Sequence, residues 1–303
     1  MVEDSATPVR IPLGRSGLEV APLGWGMWRF AGTDVAAARA RVEAAFEAGC
    51  TLFDTADVYG LGTEGGFGAA ESLLGRVLAQ SPTLRERMVL ATKAGIEPGV
   101  PYNSSAGYLV GACEASLRRL GVDHVDLLQV HRPDLLAHPE QVSRAFDTLY
   151  RHGKIRAAGV SNYTVAQTRA LLGYLAMPLA SLQPEYSALA LAPLTDGLLD
   201  LALERGIAVL AWSPLAQGRL AGAGADERSA RVIVALDAIA ARAGVTRAAA
   251  AYAWVMAHPS RPVPLVGSQS PERIREAAGA CRVALTRSDW YQVLEASRGE
   301  RLP

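Results

Sequence analysis

The sequence predicts an α/β fold made of repeated strand–helix units. Three observations carry this: short continuous apolar runs recur along the chain, capped amphipathic segments separate them, and no Pro/Ser-rich linker divides the 303 residues. A single domain over 1–303 is therefore expected. Alternation alone leaves two architectures open, a closed (β/α)8 TIM barrel and a doubly wound open sheet.

The elements follow in order. Residues 11–23, with Gly14, Ser16 and Gly17 as turn residues, read as a β-hairpin ahead of the first repeating strand. Eight strands are expected at 21–24, 51–53, 88–92, 125–130, 157–160, 180–183, 207–211 and 263–266. Their runs are mostly continuous and apolar, as in parallel strands buried on both faces. Between them, Val35, Ala38, Val42 and Phe46 make one helical stripe with Asp34 before it and Gly49 after it. Leu109, Cys113, Leu117 and Leu120 make a second that ends at Gly121, and Val142, Phe146 and Leu149 a third before Gly153. Thr164 and Thr246 read as N-caps, and Ser270-Pro271 as an N-cap followed by Pro at the first helical position. Two Gly-rich segments, 60–68 and 213–226, read as long loops, which are often functional.

Composition narrows the function classes. Hydrophobic residues are 50% and charged ones 20%, a globular balance. Lys+Arg and Asp+Glu are both 30, without the basic excess of a nucleic-acid binder. The three cysteines, Cys50, Cys113 and Cys281, show no metal-like pairing and fit a reducing compartment. Residues 1–15 lack the apolar core of a secretory signal, and no apolar run approaches membrane-span length. A cytoplasmic protein without membrane or nucleic-acid partners is expected; the oligomeric state is left open. No H-x-H follows the first strand, so metal chemistry is not expected.

Polar residues just beyond the strands come next, because parallel barrels build their sites at strand C-termini. They are Asp54 and Tyr59, Lys93, His131, Ser161 and Asn162, Gln183, Trp212 and Ser213, then Gly267 and Ser268. A tyrosine hydroxyl, ordinarily near pKa 10, is a poor proton donor at neutrality. A neighbouring ammonium lowers that pKa, and Lys93 is the candidate, held by Asp54. His131 would then orient a carbonyl oxygen, and the set would polarise a carbonyl toward hydride attack. Taken singly, Asp54 reads as a turn residue, Tyr59 and Trp212 as packing, Lys93 as a surface charge, and His131 as a satisfied core histidine. Ser161 and Asn162 alone read as a helix cap and Gln183 as a turn residue. The joint placement after different strands outweighs those readings.

These residues sit in runs that resemble the aldo-keto reductase superfamily. The runs are Asp54-Thr55-Ala56-Asp57-Val58-Tyr59-Gly60, Ala91-Thr92-Lys93, and Leu127-Leu128-Gln129-Val130-His131-Arg132-Pro133. Gly159-Val160-Ser161-Asn162-Tyr163, Trp212-Ser213-Pro214-Leu215, and Val266-Gly267-Ser268 with Arg273 complete the set in family order. The 128–134 and 212–220 segments look most like the bacterial YdhF-like oxidoreductase subgroup. The resemblance implies the barrel and an NADPH-dependent reduction of an aldehyde or ketone, with NADH not excluded and a small carbonyl compound as partner. It implies Asp54, Tyr59, Lys93 and His131 as the catalytic tetrad. For the nicotinamide it implies Ser161, Asn162 and Gln183 on the carboxamide, Trp212 stacked on the ring, and Gly26 and Met27 beside it. The loop of Ser213, Leu215, Gly218 and Arg219 would cover the pyrophosphate. Ser268 and Arg273 would hold an adenosine 2′-phosphate, with Glu276 near the adenine. Two departures stand out: Gly267 replaces a lysine common in the family, and Ala277 an asparagine. Trp25, Trp28, Tyr59, Phe67 and Tyr102 are candidate substrate-wall aromatics. The alternative reading is a nucleotide-binding regulatory or redox-sensing subunit with little turnover.

Overall fold

A computed structural model describes residues 9–224 and 226–303; residues 1–8 of the segment read for a secretory signal lie outside that range. Two short antiparallel strands, β1 (Ile11–Pro12) and β2 (Glu19–Val20), open the chain. Eight parallel strands follow: β3 (Gly24–Gly26), β4 (Leu52–Asp54), β5 (Val89–Ala94), β6 (Val125–Val130), β7 (Ile155–Ser161), β8 (Leu179–Gln183), β9 (Ala208–Ala211) and β10 (Val263–Val266). They close in sequence order, with β10 bonded to β9 on one side and to β3 on the other. Closure decides the point that periodicity left open: the sheet is a barrel.

Around it run α1 (Val35–Glu47), α2 (Ala69–Gln80), α3 (Thr83–Glu86), α4 (Ala106–Leu120), α5 (Pro139–Arg151) and α6 (Val165–Leu172). Then come α7 (Leu198–Arg205), α8 (Glu227–Ala243), α9 (Arg247–Met256), α10 (Pro271–Glu276) and α11 (Arg287–Arg298). The expected caps Thr164, Thr246 and Ser270 each accept a backbone N–H of the first helical turn, and Asp34 does the same for α1. Gly49 and Gly121 both take positive φ where their helices stop.

The first barrel strand is shifted. Expected at 21–24, it runs from Gly24 to Gly26, because the apolar Ala21 and Leu23 lead into the barrel rather than lying in its ladder. Two of its three residues are glycine, which is depleted in strands. Its pairing with Leu265 and Leu52 places it instead.

Side chains inside the barrel change character along its axis. Toward the strand N-termini, Leu52, Ala91, Leu127, Ala157, Leu210 and Val263 pack with Ile11, Leu13, Leu18 and Val20 of the hairpin, which plugs that end. Two residues further along, period 2 brings Asp54, Lys93 and Gln129 inward. These are buried but polar, and they form the floor of the opposite mouth.

Candidate active site

Lys93 is the centre of that floor. Its ammonium is wholly buried and donates to Asp54 Oδ2 at 2.5 Å, to the Thr55 carbonyl at 2.9 Å and to Tyr59 Oη at 3.1 Å. Asp54 is also spent: its Oδ1 accepts from Gln129 Nε2 at 3.2 Å and Gln183 Nε2 at 3.0 Å. Burial works to discharge the lysine, but Asp54 and then Tyr59 outweigh it, so the ammonium is held above its ordinary pKa. Tyr59 sits edge-on to His131, ring centroids 5.7 Å apart.

One expectation is corrected here. The hydroxyl of Tyr59 was expected below its ordinary pKa. Burial raises it further than Lys93 lowers it, and Asp54 adds to the rise, so the net direction is upward. The ammonium is the right neighbour, but its charge is already neutralised by Asp54. His131 moves the other way: burial first, then Lys93 and Arg132, hold it well below the usual histidine value. It is therefore a neutral ring with one N–H donor and one acceptor, and its Nδ1 is buried without a partner.

Above the floor opens a cavity of about 980 Å³. It brings together Gly26, Asp54, Tyr59, His131, Ser161, Asn162, Gln183, Trp212, Ser213, Leu215, Gly218, Ser268, Arg273 and Glu276 from the sequence-read set. Three members of that set lie outside its lining. Lys93 is behind Asp54 and Tyr59. Met27 is fully buried, and its N–H donates to the Asp54 carbonyl at 2.9 Å. Arg219 turns to the Ala216 carbonyl and Asp226. Of the aromatics, Trp28 and Tyr59 line the cavity and Phe67 and Tyr102 do not. Trp25 is 0% exposed and donates its indole N–H to the Ser268 carbonyl, so it is core and not wall.

The middle of the cavity is prewired. Ser161 Oγ donates to the Gln183 carbonyl at 2.8 Å; Asn162 Nδ2 donates to Ser161 Oγ at 2.9 Å and to the His131 carbonyl at 3.0 Å. Trp212 Nε1 donates to Asn162 Oδ1 at 3.0 Å. Asn162 holds φ +61°, and Ser213, Ala216 and Gln217 are likewise at positive φ. Four of the five such non-Gly residues among those described thus fall at this one site. Each costs about 1–3 kcal/mol, a pattern typical of ligand clamps.

Sequence reasoning missed Arg29, Arg132, Gln217, Asp237 and Arg247 in the lining. Arg132 directly follows His131, but residue type and spacing point to no role for it. Arg247 follows the N-cap Thr246 and clamps Asp237 at 2.6 and 2.8 Å and the Gly222 carbonyl at 2.7 Å. Arg29, Arg132 and Arg273 have no carboxylate partner among the described residues.

Residues 22–298 match the family described as "Aldo/keto reductase family". A protein named 6-dehydroglucose reductase from Novosphingobium aromaticivorans is 52% identical over 96% of this chain and 96% of its own length. Oxidoreductase YdhF of Escherichia coli is 35% identical over 97% of this chain and 99% of its own. A crystal structure of a thermostable aldo-keto reductase with the inhibitor epalrestat superposes with TM-score 0.81 at 26% identity, covering 95% of this chain and 99% of that one.

Proposed function

The chain belongs to the aldo/keto reductase family, and on that premise we propose that it is an NADPH-dependent reductase of a sugar-type aldehyde, with Tyr59 as the proton donor. The observation that carries the reading is the buried contact of Lys93 with both Asp54 and Tyr59 at the floor of a large cavity.

The lining suits a nicotinamide nucleotide in kind. After their internal bonds, Gln183 keeps its amide oxygen and Ser161 Oγ a lone pair, both acceptors for a carboxamide N–H. Trp212, fixed edge-on by Asn162, gives the same end an aromatic surface. Arg273 and Ser268 lie in the lining with the guanidinium unpaired, which supports a phosphate-bearing nucleotide and so NADPH over NADH. When bound, the reduced cofactor supplies the hydride.

The protein's own residues do the rest. Tyr59 donates its proton to the carbonyl oxygen as negative charge grows there. Lys93, anchored by Asp54, stabilises the phenolate left behind. His131, neutral and beside Tyr59, orients the oxygen through its ring N–H. The substrate class comes from the 52% identical relative's name. Trp28, Arg29, Arg132 and Gln217 line the cavity and offer a stacking face and donors for hydroxyl groups.

Two measurements test this. Fluorescence titration with NADPH and with NADH should show tighter binding of NADPH. NADPH oxidation should follow on a panel of sugar aldehydes. Tyr59→Phe should cut turnover by about 10²–10⁴-fold with nucleotide binding retained; full activity in that variant would refute the assigned role. A retained nucleotide without turnover on any carbonyl would point to a sensing subunit instead.

A further inference from the structure

Lys93 and Asp54 cancel each other, so the floor of the cavity has no net charge of its own. The chemistry proposed above nevertheless creates an anion there, first on the carbonyl oxygen and then on Tyr59. A nearby cation without a carboxylate partner would stabilise that anion, and the structure holds one at this end.

Arg132 follows His131 directly and lines the cavity with it. Its guanidinium carbon stands 5.9 Å from the ring centroid of Trp212. Among the described residues it makes no ion pair. Asp134, the nearest acid along its own loop, is occupied by the N–H groups of Ser104 and Leu136. The charges facing Tyr59 are Lys93 from β5, Asp54 from β4 and Arg132 from the loop after β6, with the neutral His131 alongside. Arg132 lowers the pKa of both Tyr59 and His131, in each case behind burial and Lys93. Arg29 also lines the cavity, but it rests on Trp28 at 5.1 Å and contributes to neither shift.

We propose that Arg132 supplies the uncompensated positive charge that stabilises the anion formed at the Tyr59 end of the cavity, and that it does so for every substrate regardless of the substrate's own charge. The inference rests on the reductase reading above. In the step concerned, hydride adds to the carbonyl carbon and the C=O π pair moves onto oxygen. That oxygen takes the Tyr59 proton, and the phenolate regains a proton from water. Arg132 exchanges no proton, because a guanidinium stays charged throughout. Its effect is electrostatic: it makes Tyr59 a stronger acid than Lys93 and Asp54 alone allow.

The test compares wild type with Arg132→Gln and Arg132→Lys, using matched neutral and anionic aldehydes such as glyceraldehyde and glyceraldehyde 3-phosphate. The readouts are kcat and KM as functions of pH in both directions. In reduction, activity falls as pH rises through the Tyr59 pKa; in alcohol oxidation it rises through the same value. Arg132→Gln should move both limbs upward by about one pH unit. At neutral pH it should lower kcat for reduction between about threefold and tenfold on both aldehydes alike. Arg132→Lys should restore most of each effect. Arg132→Met, which keeps an apolar stem, gives the same readout should Gln disturb folding; NADPH titration reports that the variant is folded.

Unmoved limbs in an active, nucleotide-binding variant would overturn the proposal. So would a loss confined to KM for the anionic aldehyde, which would make Arg132 a handle for substrate charge. Absence of turnover in wild type would refute the reductase reading and this inference together, whereas turnover with unmoved limbs would refute the inference alone.

Discussion

Asp54 shows how much one buried side chain can hold. It is 2% exposed, and its two oxygens take three side-chain donors: Lys93, Gln129 and Gln183. Without its charge, the ammonium of Lys93 would be buried with only the Thr55 carbonyl and a neutral hydroxyl for company. Breaking a buried pair in this way costs about 3–5 kcal/mol. Asp54→Asn should therefore lower the unfolding free energy by that order, read as a fall in denaturant midpoint at unchanged slope. Because the lysine's pKa is raised in the folded state, the pair's contribution is fully present below the unfolded value of 10.5 and is lost as pH rises through the folded one. A variant as stable as wild type at pH 7 would mean that Asp54 is not holding this charge. At this scale the sequence was legible where strand period and residue type coincide. Asp54 and Lys93 each follow an apolar run in register, so their meeting follows from pairing. The direction of the Tyr59 shift was not legible, because it depends on burial and on which neighbour has already spent its charge.

Helix packing depends on residues that gave no sequence signal. Gly75 lies in the middle of α2, where glycine is costly for a helix. A β-carbon there would stand 2.2 Å from the Arg119 carbonyl of α4 and 3.0 Å from Leu120 backbone. Bare backbone thus lets α2 and α4 approach. The same contact lets Arg119 reach the fully buried Glu71, whose other oxygen takes the Thr92 hydroxyl on β5. Gly75→Ala should destabilise the protein by about 1–3 kcal/mol, since the obstacle is backbone and cannot swing aside. Urea unfolding measures this, and a change within about 0.5 kcal/mol, the range of ordinary surface substitutions, would contradict the packing argument. The elements that were legible are those that announce themselves locally. Thr164, Thr246 and Ser270 start helices because their hydroxyls bind free N–H groups, and 125–130 and 263–266 are strands because short, mostly apolar runs suit strands buried on both faces. The Gly24–Gly26 strand escaped because only its neighbours make it a strand. The cavity arginines escaped because loop residues carry no periodicity, so their convergence exists only after the barrel closes.

At the scale of the whole molecule, closure buries acidic groups that carry no charge at neutral pH, and this sets an upper pH limit on stability. Cys50 and Cys113 are 1% and 0% exposed. Burial, with Cys281 in the first case and Glu71 in the second, pushes each thiol from 9.0 to about 12. Burial likewise raises Tyr186, packed against Trp254 of α9, and Tyr252, on α9 itself, above their ordinary 10.0. A folded pKa above the unfolded one means that stability is complete below the unfolded value and declines as pH climbs toward the folded one. Over pH 9 to 12 an unfolded chain releases the two thiol protons that the folded chain retains. Each such group costs about 1.4 kcal/mol per pH unit once its unfolded form is ionised. The melting temperature should therefore stay level from pH 7 to about 9 and then fall steeply, with the tyrosines steepening the decline above about 10. Cys50→Ala with Cys113→Ala should be less stable at pH 7 from lost packing, yet its melting temperature should fall less between pH 9 and 11. A double variant that loses stability with pH as steeply as wild type would show that the thiols are not responsible. In that case the alkaline limit would have to come from the tyrosines or, above pH 10.5, from Lys93, whose contribution Asp54→Asn would already have removed.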